Sequence, residues 1–355
     1  MNPDMAEPGY PQIGLRAWPF HVVASEATAD VWVGRPELHQ KIERLKQSAA
    51  RVPNSQIVLM WASFGAGKTH ALMHLRRLAA AEPLLSPLYV VTPRGVRSFV
   101  DLYRAVADAA LQSGLAQAAG RRVLLRDKSP ENDTERSLQQ LASGDDEQAQ
   151  LAASWLRGEK IAARARSGLG LTTSLDTATT AIDGLQRLVR ALQQDGNRLM
   201  LLLDEVQELA ELGRRLDECT GGLHKLFDST PHGLTLVLSF TTGSQGTLQS
   251  ILGDTMWDRV GQLISIPALT DAEGEGFVTG LIAATAVEPT DAPYPFSEAA
   301  VRELVKCVIA VNPVLTPRSL IKAADQVLRE SLPDLEDGIL PEITPEAVAE
   351  VVHAW

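Results

Sequence analysis

The stretch that decides the fold is residues 57–69, IVLMWASFGAGKT, in which an apolar run leads directly into a glycine-rich turn. No polar residue interrupts 57–61, as is typical of a strand buried on both faces of a parallel sheet. Beyond the turn, Leu72, Leu75 and Leu78 recur at helical spacing. The segment therefore predicts a strand, a tight turn and a helix in direct succession.

The turn at residues 62–69 has the P-loop pattern Gly-x4-Gly-Lys-Ser/Thr, with Ala62 in place of the first glycine. Its backbone N–H groups would converge on phosphate oxygens at the start of a helix. Lys68 would neutralise the β- and γ-phosphates, and the Thr69 hydroxyl would ligate Mg²⁺. A chance glycine-rich turn is the alternative, and Ala62 is expected to tune affinity without abolishing it. The predicted nucleotide contacts here are Ser63, Phe64, Gly65, Ala66, Gly67, Lys68, Thr69 and His70.

A second motif lies at residues 199–205, where the apolar run LMLLL ends in an acidic pair. The carboxyl end of such a strand is where a P-loop sheet needs its metal carboxylate. Asp204 would hold Mg²⁺ through water, and Glu205 would orient and deprotonate the attacking water. Two surface acids after a core strand are the alternative interpretation.

Strand-like and helical patterns alternate along most of the chain. This alternation predicts parallel βαβ units, and hence an α/β fold with a parallel sheet sandwiched by helices. The further strand-like runs are 88–91, 199–203, 234–240 and 263–266.

Beyond residue 267 only helical patterns occur, with predicted helix caps at Thr270, Ser297, Thr316 and Thr344. They predict a small all-helical lid domain. The acidic stretch 129–147 is expected to be a solvated loop. The predicted domains are an N-terminal arm (1–28), a nucleotide-binding α/β domain (29–267) with a polar insertion at about 115–180, the helical lid (268–335) and a C-terminal tail helix (336–355).

The P-loop, the acidic pair and the helical C-terminal unit together resemble AAA+ ATPases of the initiator (origin-recognition-like) group over nearly the whole chain. The stretch WLRGE at 155–159 is similar to ATPases of BREX-type phage-defence systems. TnsC/TniB-type transposition regulators are also similar in size and motif order. The resemblance implies that Gly34 and Arg35 frame the adenine.

The resemblance also implies a sensor residue among the polar residues of the strand at 236–242, and a second sensor at the start of a lid helix. Ser239, Thr241 and Thr242 compete for the first role, with Thr241 favoured. Arg318 in Thr-Pro-Arg matches the second sensor and would face the γ-phosphate, although an exposed arginine at a helix start is the alternative.

Arg259 lies where the family has an arginine finger, just before the last strand. Such a guanidinium would stabilise charge on the phosphoryl group of a neighbouring subunit. The alternative is a surface salt bridge, for instance with Asp254 or Asp258.

Composition limits the function classes. The chain has 355 residues, 45% of them hydrophobic, and a net charge of −11, which argues against a uniformly basic nucleic-acid surface. Two cysteines are too few for a disulfide framework, and no secretion signal or membrane span is visible, so a cytoplasmic location is expected. Two basic clusters are either solvated faces or a surface for DNA or another subunit: Arg121, Arg122, Arg126 and Lys128, then Arg157, Lys160, Arg164 and Arg166.

The sequence thus predicts an AAA+ ATPase that uses ATP and Mg²⁺, forms homo-oligomers and acts on DNA or DNA-bound partners, with no membrane association. Phage defence and the control of mobile elements or replication are the expected settings. The alternative is a nucleotide-controlled scaffold or signalling switch that recruits effector proteins with little turnover.

Overall fold

The computed structural model describes residues 9–126, 129–193, 196–242, 244–288 and 292–353. These residues form two compact units. Unit 1 comprises Met1–Lys41, Ala62–His74 and Ile266–Trp355, and unit 2 comprises Ile42–Trp61 and Leu75–Ser265. In the described part of the chain, no helix has the length and apolar character needed to cross a membrane.

A five-stranded parallel sheet has the strand order β2-β3-β4-β1-β5. The predicted α/β fold class is confirmed. Strands β3 and β4 are buried along nearly their whole length, whereas β5 at the sheet edge alternates between exposed residues and residues that are partly or fully buried. The strands are β1 (Gln56–Ala62), β2 (Leu85–Val91), β3 (Arg198–Asp204), β4 (Leu234–Thr241) and β5 (Val260–Ser265).

Fourteen α-helices lie in the described residues. Two 3₁₀ segments, Pro11–Ile13 and Val206–Arg215, accompany them. The helices are α1 (Pro36–Arg51), α2 (Lys68–Ala80), α3 (Phe99–Gln112), α4 (Leu115–Leu125), α5 (Asp133–Ser143), α6 (Asp146–Leu156), α7 (Ala163–Gly168), α8 (Ala178–Leu192), α9 (Leu216–Asp228), α10 (Gln245–Trp257), α11 (Asp271–Thr285), α12 (Glu298–Val311), α13 (Pro317–Glu336) and α14 (Pro345–His353).

The core of unit 2 is built from the apolar strand residues and one face of each packed helix. Helix α8 shows the pattern: Leu185, Leu188 and Leu192 recur at helical spacing and are buried. A fully buried leucine contributes roughly 1.5–3 kcal/mol, so such faces supply most of the driving force for packing. Glycine also allows close packing in this core, because a Cβ at Gly222 would lie 2.5 Å from the Phe99 ring.

The acidic stretch 129–147 is helical, so the prediction of a solvated loop is wrong. Asn132 caps α5 by accepting a hydrogen bond from the Glu135 N–H. The carboxylate of Asp133, only 6% exposed, accepts hydrogen bonds from the N–H and hydroxyl groups of Thr172 and Thr173 at 2.8–2.9 Å. The Asp133 carboxylate is thus held by hydrogen-bond donors from a distant part of the chain, which the sequence pattern does not reveal.

Unit 1 has its own apolar core, formed mainly by the helices after residue 267. Each predicted cap accepts a backbone hydrogen bond at its helix start, as Thr270 does from the N–H of Glu273. The N-terminal residues, expected to form an arm, contribute Ile13, Leu15 and Phe20 to this core. Both cysteines of the chain are free and buried.

Candidate functional site

The P-loop turn lies between β1 and α2, as the sequence predicted. Gly65 and Gly67 have φ values of 80° and 99°, a region that side chains rarely adopt. Helix α2 begins at Lys68, so the turn leads into a helix N-terminus, where backbone N–H groups favour anions. The Lys68 side chain is 6% exposed. This geometry suits a phosphate group.

Arg35 holds the backbone of the turn. Its guanidinium donates from Nη1 to the Ala66 carbonyl and from Nη2 to the Pro267 carbonyl, both at 2.7 Å. Burial lowers the pKa of Arg35, and the opposing effect of Glu273 is smaller. Arg35 follows Gly34, and both residues have positive φ. The structure thus assigns Arg35 contacts with the P-loop, while the adenine contact of Gly34 and Arg35 stays a prediction.

The start of α13 lies against Phe64 and Gly65 of the same turn. The Arg318 N–H donates to the Gly65 carbonyl at 3.3 Å, and the Arg318 guanidinium carbon is 4.5 Å from the centre of the Phe64 ring. A Cβ at Gly65 would lie 3.1 Å from the Thr316 hydroxyl, so this close approach requires glycine. Arg318 is therefore close to the P-loop, as predicted for a second sensor, and its γ-phosphate contact stays a prediction.

His70 and His74 on α2 are packed rather than arranged as metal ligands. His70 Nε2 lies 3.2 Å from the Thr28 carbonyl, and burial lowers the pKa of His70. Trp32 stacks among these two histidines and His39, at ring distances of 4.8–5.8 Å. Within the residues that the structure describes, no three His, Cys, Asp or Glu side chains are grouped to hold a metal.

Asp204 ends β3 and is 1% exposed. Its Oδ1 accepts hydrogen bonds from the Ser239 hydroxyl at 2.8 Å and from the Glu205 N–H at 2.9 Å. Its Oδ2 accepts from the Tyr89 hydroxyl at 3.0 Å. Burial, followed by the effect of the Asp204 carboxylate, raises the pKa of Tyr89 far above its usual value. The phenol thus stays a donor, and the Asp204 carboxylate is fixed in orientation.

Glu205 adopts left-handed backbone angles, φ 56° and ψ 38°, which a non-glycine residue rarely takes. Its Oε2 accepts hydrogen bonds from the Thr241 hydroxyl at 3.2 Å and from Gln207 Nε2. Gln207 Oε1 in turn accepts from the Thr241 N–H at 2.8 Å. Because a strained backbone of this kind costs about 1–3 kcal/mol, the surrounding contacts must stabilise it. The predicted base therefore sits in a closed network with Gln207 and Thr241.

The three candidate sensor residues have different contacts. Ser239 binds Asp204, and Thr241 binds Glu205. The Thr242 hydroxyl instead donates to the Ser244 carbonyl at 3.3 Å, within its own loop. Thr241, which the sequence analysis favoured, is thus the candidate next to the predicted base.

Sequence reasoning missed Tyr89 and Gln207. Tyr89 lies on β2, more than a hundred residues before Asp204, and no motif links the two. Its only signal is its place in an apolar strand expected to lie in the same sheet. Gln207 follows the acidic pair by two residues, but spacing alone does not say whether its amide turns toward Glu205.

The predicted finger residue, Arg259, forms an ion pair with neither Asp254 nor Asp258 among the described contacts. Its Nε lies 3.3 Å from Asp228 Oδ1, and both side chains are 44% exposed. An exposed pair of this kind contributes about 0–1 kcal/mol and is easily exchanged. Arg259 is thus accessible, and its contact with a neighbouring subunit stays a prediction.

The two basic clusters are partly neutralised within unit 2. Arg122 donates to the Leu192 carbonyl at 3.1 Å, Arg126 lies 3.5 Å from Glu135, and Arg157 pairs with Asp108 at 2.7 Å. Lys128 lies outside the described residues. In the second cluster Lys160 and Arg164 are exposed and Arg166 is partly exposed. Nearby Trp155 is buried in the core of unit 2.

Each unit by itself carries groups of the kind that a nucleotide phosphate or Mg²⁺ binds. The turn offers a positive-φ cradle at a helix N-terminus, and Asp204 offers a carboxylate oriented by three donors. Thr69 and Asp204, the predicted magnesium ligands, belong to units 1 and 2, respectively. Hydroxyl and carboxylate oxygens are the donors that Mg²⁺ prefers.

Comparisons with known proteins found a family match over part of the chain and similar folds among solved structures. Residues 135–251 match the family described as BREX system ATP-binding protein BrxC/D. The chain is similar in structure to the Aeropyrum pernix ORC2 protein in its ADPNP–ADP complexes, with a TM-score of 0.58 and 13% identity over 90% of this chain and 67% of that one. It is similar to the Aeropyrum pernix ORC1 protein in complex with DNA, with a TM-score of 0.52 and 13% identity over 92% of this chain and 66% of that one.

The chain thus spans about two thirds of the length of these structures. No curated protein matches its sequence significantly. The predicted resemblance to BREX ATPases and to initiator-type AAA+ proteins is confirmed, and the similarity to TnsC/TniB regulators stays a prediction. The fold is similar to that of the two ORC proteins, and the P-loop motif lies in its expected strand–turn–helix context.

Proposed function

We propose that this AAA+ protein binds ATP with Mg²⁺ and hydrolyses it to ADP and phosphate. The observation that carries the proposal is the P-loop turn, whose two positive-φ glycines lead into the N-terminus of α2 between Arg35 and Arg318. Backbone N–H groups and Lys68 would bind the β- and γ-phosphates. Thr69 and Asp204 would hold the Mg²⁺, which neutralises phosphate charge when bound.

In this proposal Glu205 is the general base, which accepts a proton from the attacking water at its carboxylate. Its Oε2 already accepts hydrogen bonds from Gln207 and Thr241, so proton transfer to this particular oxygen requires the exchange of one of these contacts. Thr241 stays within reach of Glu205 and would orient the same water. Arg318 would contact the γ-phosphate, and Arg259 would complete the site of a neighbouring subunit.

We further propose that the protein forms homo-oligomers and acts on DNA or on DNA-bound partners, in phage defence or in the control of mobile elements or replication. The match to a BREX family and the fold shared with the ORC1 protein in complex with DNA support this. The exposed residues Lys160 and Arg164 of the second basic cluster are the candidate DNA contacts.

A second candidate function is a nucleotide-controlled switch or scaffold that recruits effector proteins with little turnover. One observation favours it: the carboxylate of Glu205 is engaged by Gln207 and Thr241. In this case ATP would control assembly, and hydrolysis would be slow.

Equilibrium titration with ATP and Mg²⁺ tests nucleotide binding. Charge-assisted contacts contribute roughly 1.5–3 kcal/mol, so Lys68→Ala should weaken ATP binding about tenfold to hundredfold. Lys306→Ala is the matched control, because Lys306 is exposed and pairs only weakly with Glu303 on α12. Equal affinity of both variants and the unmodified chain would contradict the P-loop assignment.

Mass in solution, measured with ADP and with a non-hydrolysable ATP analogue, tests assembly. We expect a larger species with the analogue, and a further shift with duplex DNA that weakens as salt is raised. Arg259→Ala should lower hydrolysis in the assembled state, whereas Arg302→Ala, which removes an exposed partner of Glu298, should not. A monomer under every condition would contradict both the finger assignment and the scaffold.

A further inference from the structure

Phe64 is an unusual residue for its place. It lies within the P-loop turn, and its side chain is 71% exposed, although it is a large aromatic group. Its backbone position alone does not require an aromatic ring, because the turn is shaped by Gly65 and Gly67. The ring packs against the guanidinium of Arg318, whose central carbon lies 4.5 Å from the ring centre.

Because its partner is an aromatic ring, the Arg318 guanidinium can still donate hydrogen bonds to a ligand. A cation over an aromatic face is held by the charge distribution of the ring, and none of its N–H donors is used for an acceptor atom. A carboxylate partner would consume those donors and neutralise the charge. In the described residues, no carboxylate oxygen lies within 4.0 Å of the Arg318 guanidinium. Arg318 thus keeps its charge and its donors while its side chain is ordered.

The main chain fixes the rest of the arrangement. The Arg318 N–H donates to the Gly65 carbonyl, the residue after Phe64, and the Thr316 side chain lies against Gly65. The Arg318 backbone is therefore anchored to the turn, and the ring decides where its long side chain points. An arginine side chain loses up to about 2 kcal/mol of rotamer entropy when it is fixed, so a partner that orders it beforehand favours binding.

We infer that Phe64 is the positioning residue of Arg318: its ring holds the guanidinium beside the P-loop before nucleotide arrives. The inference rests on the proposed function, in which Arg318 contacts the γ-phosphate. Phe64 then contributes to ATP affinity through Arg318 and not through a contact of its own. Since ADP has no γ-phosphate, the ring contributes to the discrimination between ATP and ADP.

Titrations with ATP and with ADP, each with Mg²⁺, test the inference on four variants of the intact chain. Phe64→Leu removes the ring face, Phe64→Tyr keeps it, Arg318→Gln removes the cation, and a double variant combines Phe64→Leu with Arg318→Gln. An exposed cation–π contact corresponds to a two- to fivefold effect, so Phe64→Leu should weaken ATP binding by roughly that factor. ADP affinity should stay unchanged, and Phe64→Tyr should restore the ATP affinity.

The double variant distinguishes positioning from a general change in the turn. With Arg318→Gln already present, Phe64→Leu should have no further effect on ATP affinity. A further loss in that background, an equal loss for ATP and ADP, or tighter ATP binding by Phe64→Leu would each overturn the inference. If the unmodified chain and Phe64→Leu bind ATP equally well, the inference fails and the proposed function stands. If the unmodified chain does not bind ATP at all, both fail.

Discussion

The phosphate-binding turn and the carboxyl end of β3 are stabilised by different kinds of contact. In the turn, Arg35 donates to backbone carbonyls and Arg318 stacks on an aromatic ring. At the end of β3, both oxygens of Asp204 and one oxygen of Glu205 accept hydrogen bonds from side chains or backbone. The turn keeps a geometry suited to an incoming anion, whereas the carboxylates already have partners.

The groups for binding and the groups for hydrolysis therefore differ in which partners they must release before they act. Neither Arg35 nor Arg318 forms an ion pair with a carboxylate in the described contacts, so the charge of these two arginines remains available to an incoming anion. Glu205 Oε2 must exchange a hydrogen bond with Gln207 or Thr241 before this oxygen can accept a proton. We therefore expect ATP binding to be easy and hydrolysis to be the step that partners or assembly control.

We expect the largest effect on stability from a substitution of Asp133, a third carboxylate that accepts hydrogen bonds. This substitution tests whether hydrogen bonds by themselves make a buried carboxylate stabilising. Burial alone would raise the pKa of Asp133, but the hydrogen bonds from Thr173 and Thr172 outweigh it and lower that pKa. Asp133→Asn should reduce the free energy of unfolding by about 2 kcal/mol at pH 7, because hydrogen bonds to a charged acceptor contribute about 1.5–3 kcal/mol. Urea unfolding measures the effect.

The pH dependence of this effect has a definite sign. A carboxyl whose pKa is lowered by folding stabilises above its unfolded pKa, about 3.9, and the stabilisation is lost as the pH falls through its folded pKa. The difference between Asp133→Asn and the unmodified chain should thus shrink as the pH falls below about 4. A difference that is constant from pH 7 to pH 3 would contradict the role of the ionised carboxylate.

Gln207→Ala tests whether the contacts of Glu205 restrain hydrolysis. Loss of the amide frees Glu205 Oε2 from one donor, and a contribution of about 1 kcal/mol corresponds to roughly fivefold in rate. We therefore expect the basal rate of ATP hydrolysis to rise severalfold while ATP affinity stays the same. Gln249→Ala on α10 is the matched control, since that amide contacts only Asp254. A fall in rate would mean that Gln207 orients Glu205 for the reaction.

Tyr89→Phe has the smallest expected effect and tests the orientation of Asp204. The change removes one neutral donor to Oδ2, so it should lower stability by about 1 kcal/mol and hydrolysis about twofold to threefold. Tyr103→Phe is the matched control, because its hydroxyl donates to the Leu156 carbonyl at 2.6 Å in the core. That variant should lose stability with an unchanged rate. Equal effects of both variants on the rate would contradict the positioning of Asp204 by Tyr89.

The sequence predicted the parts of the fold that depend on local pattern. The P-loop was found because strand, turn and helix are consecutive, and the helix caps were found because each lies within four residues of its partner. The helix α5 was missed because polar residues dominate 129–147, and its stability depends on the distant Thr172 and Thr173. Patterns along the chain do not report such tertiary contacts.

The site shows the same limit. Lys68, Asp204 and Glu205 follow from motifs, whereas the contacts of Tyr89 and Gln207 follow from strand neighbours and side-chain orientation. Arg35 is a further example of a contact that motifs do not predict. Its position near the nucleotide was expected from the sequence, but its two carbonyl contacts depend on the fold around residue 267.

Glu205→Gln shows whether ATP binding and ATP hydrolysis depend on separate groups of this protein. The amide keeps the shape of the side chain but cannot accept a proton, and loss of a general base typically lowers a rate by about 10²–10⁴-fold. We expect its ATP dissociation constant to stay close to that of the unmodified chain while single-turnover hydrolysis falls by at least about a hundredfold. Hydrolysis at the unmodified rate, or loss of ATP binding together with hydrolysis, would contradict the account.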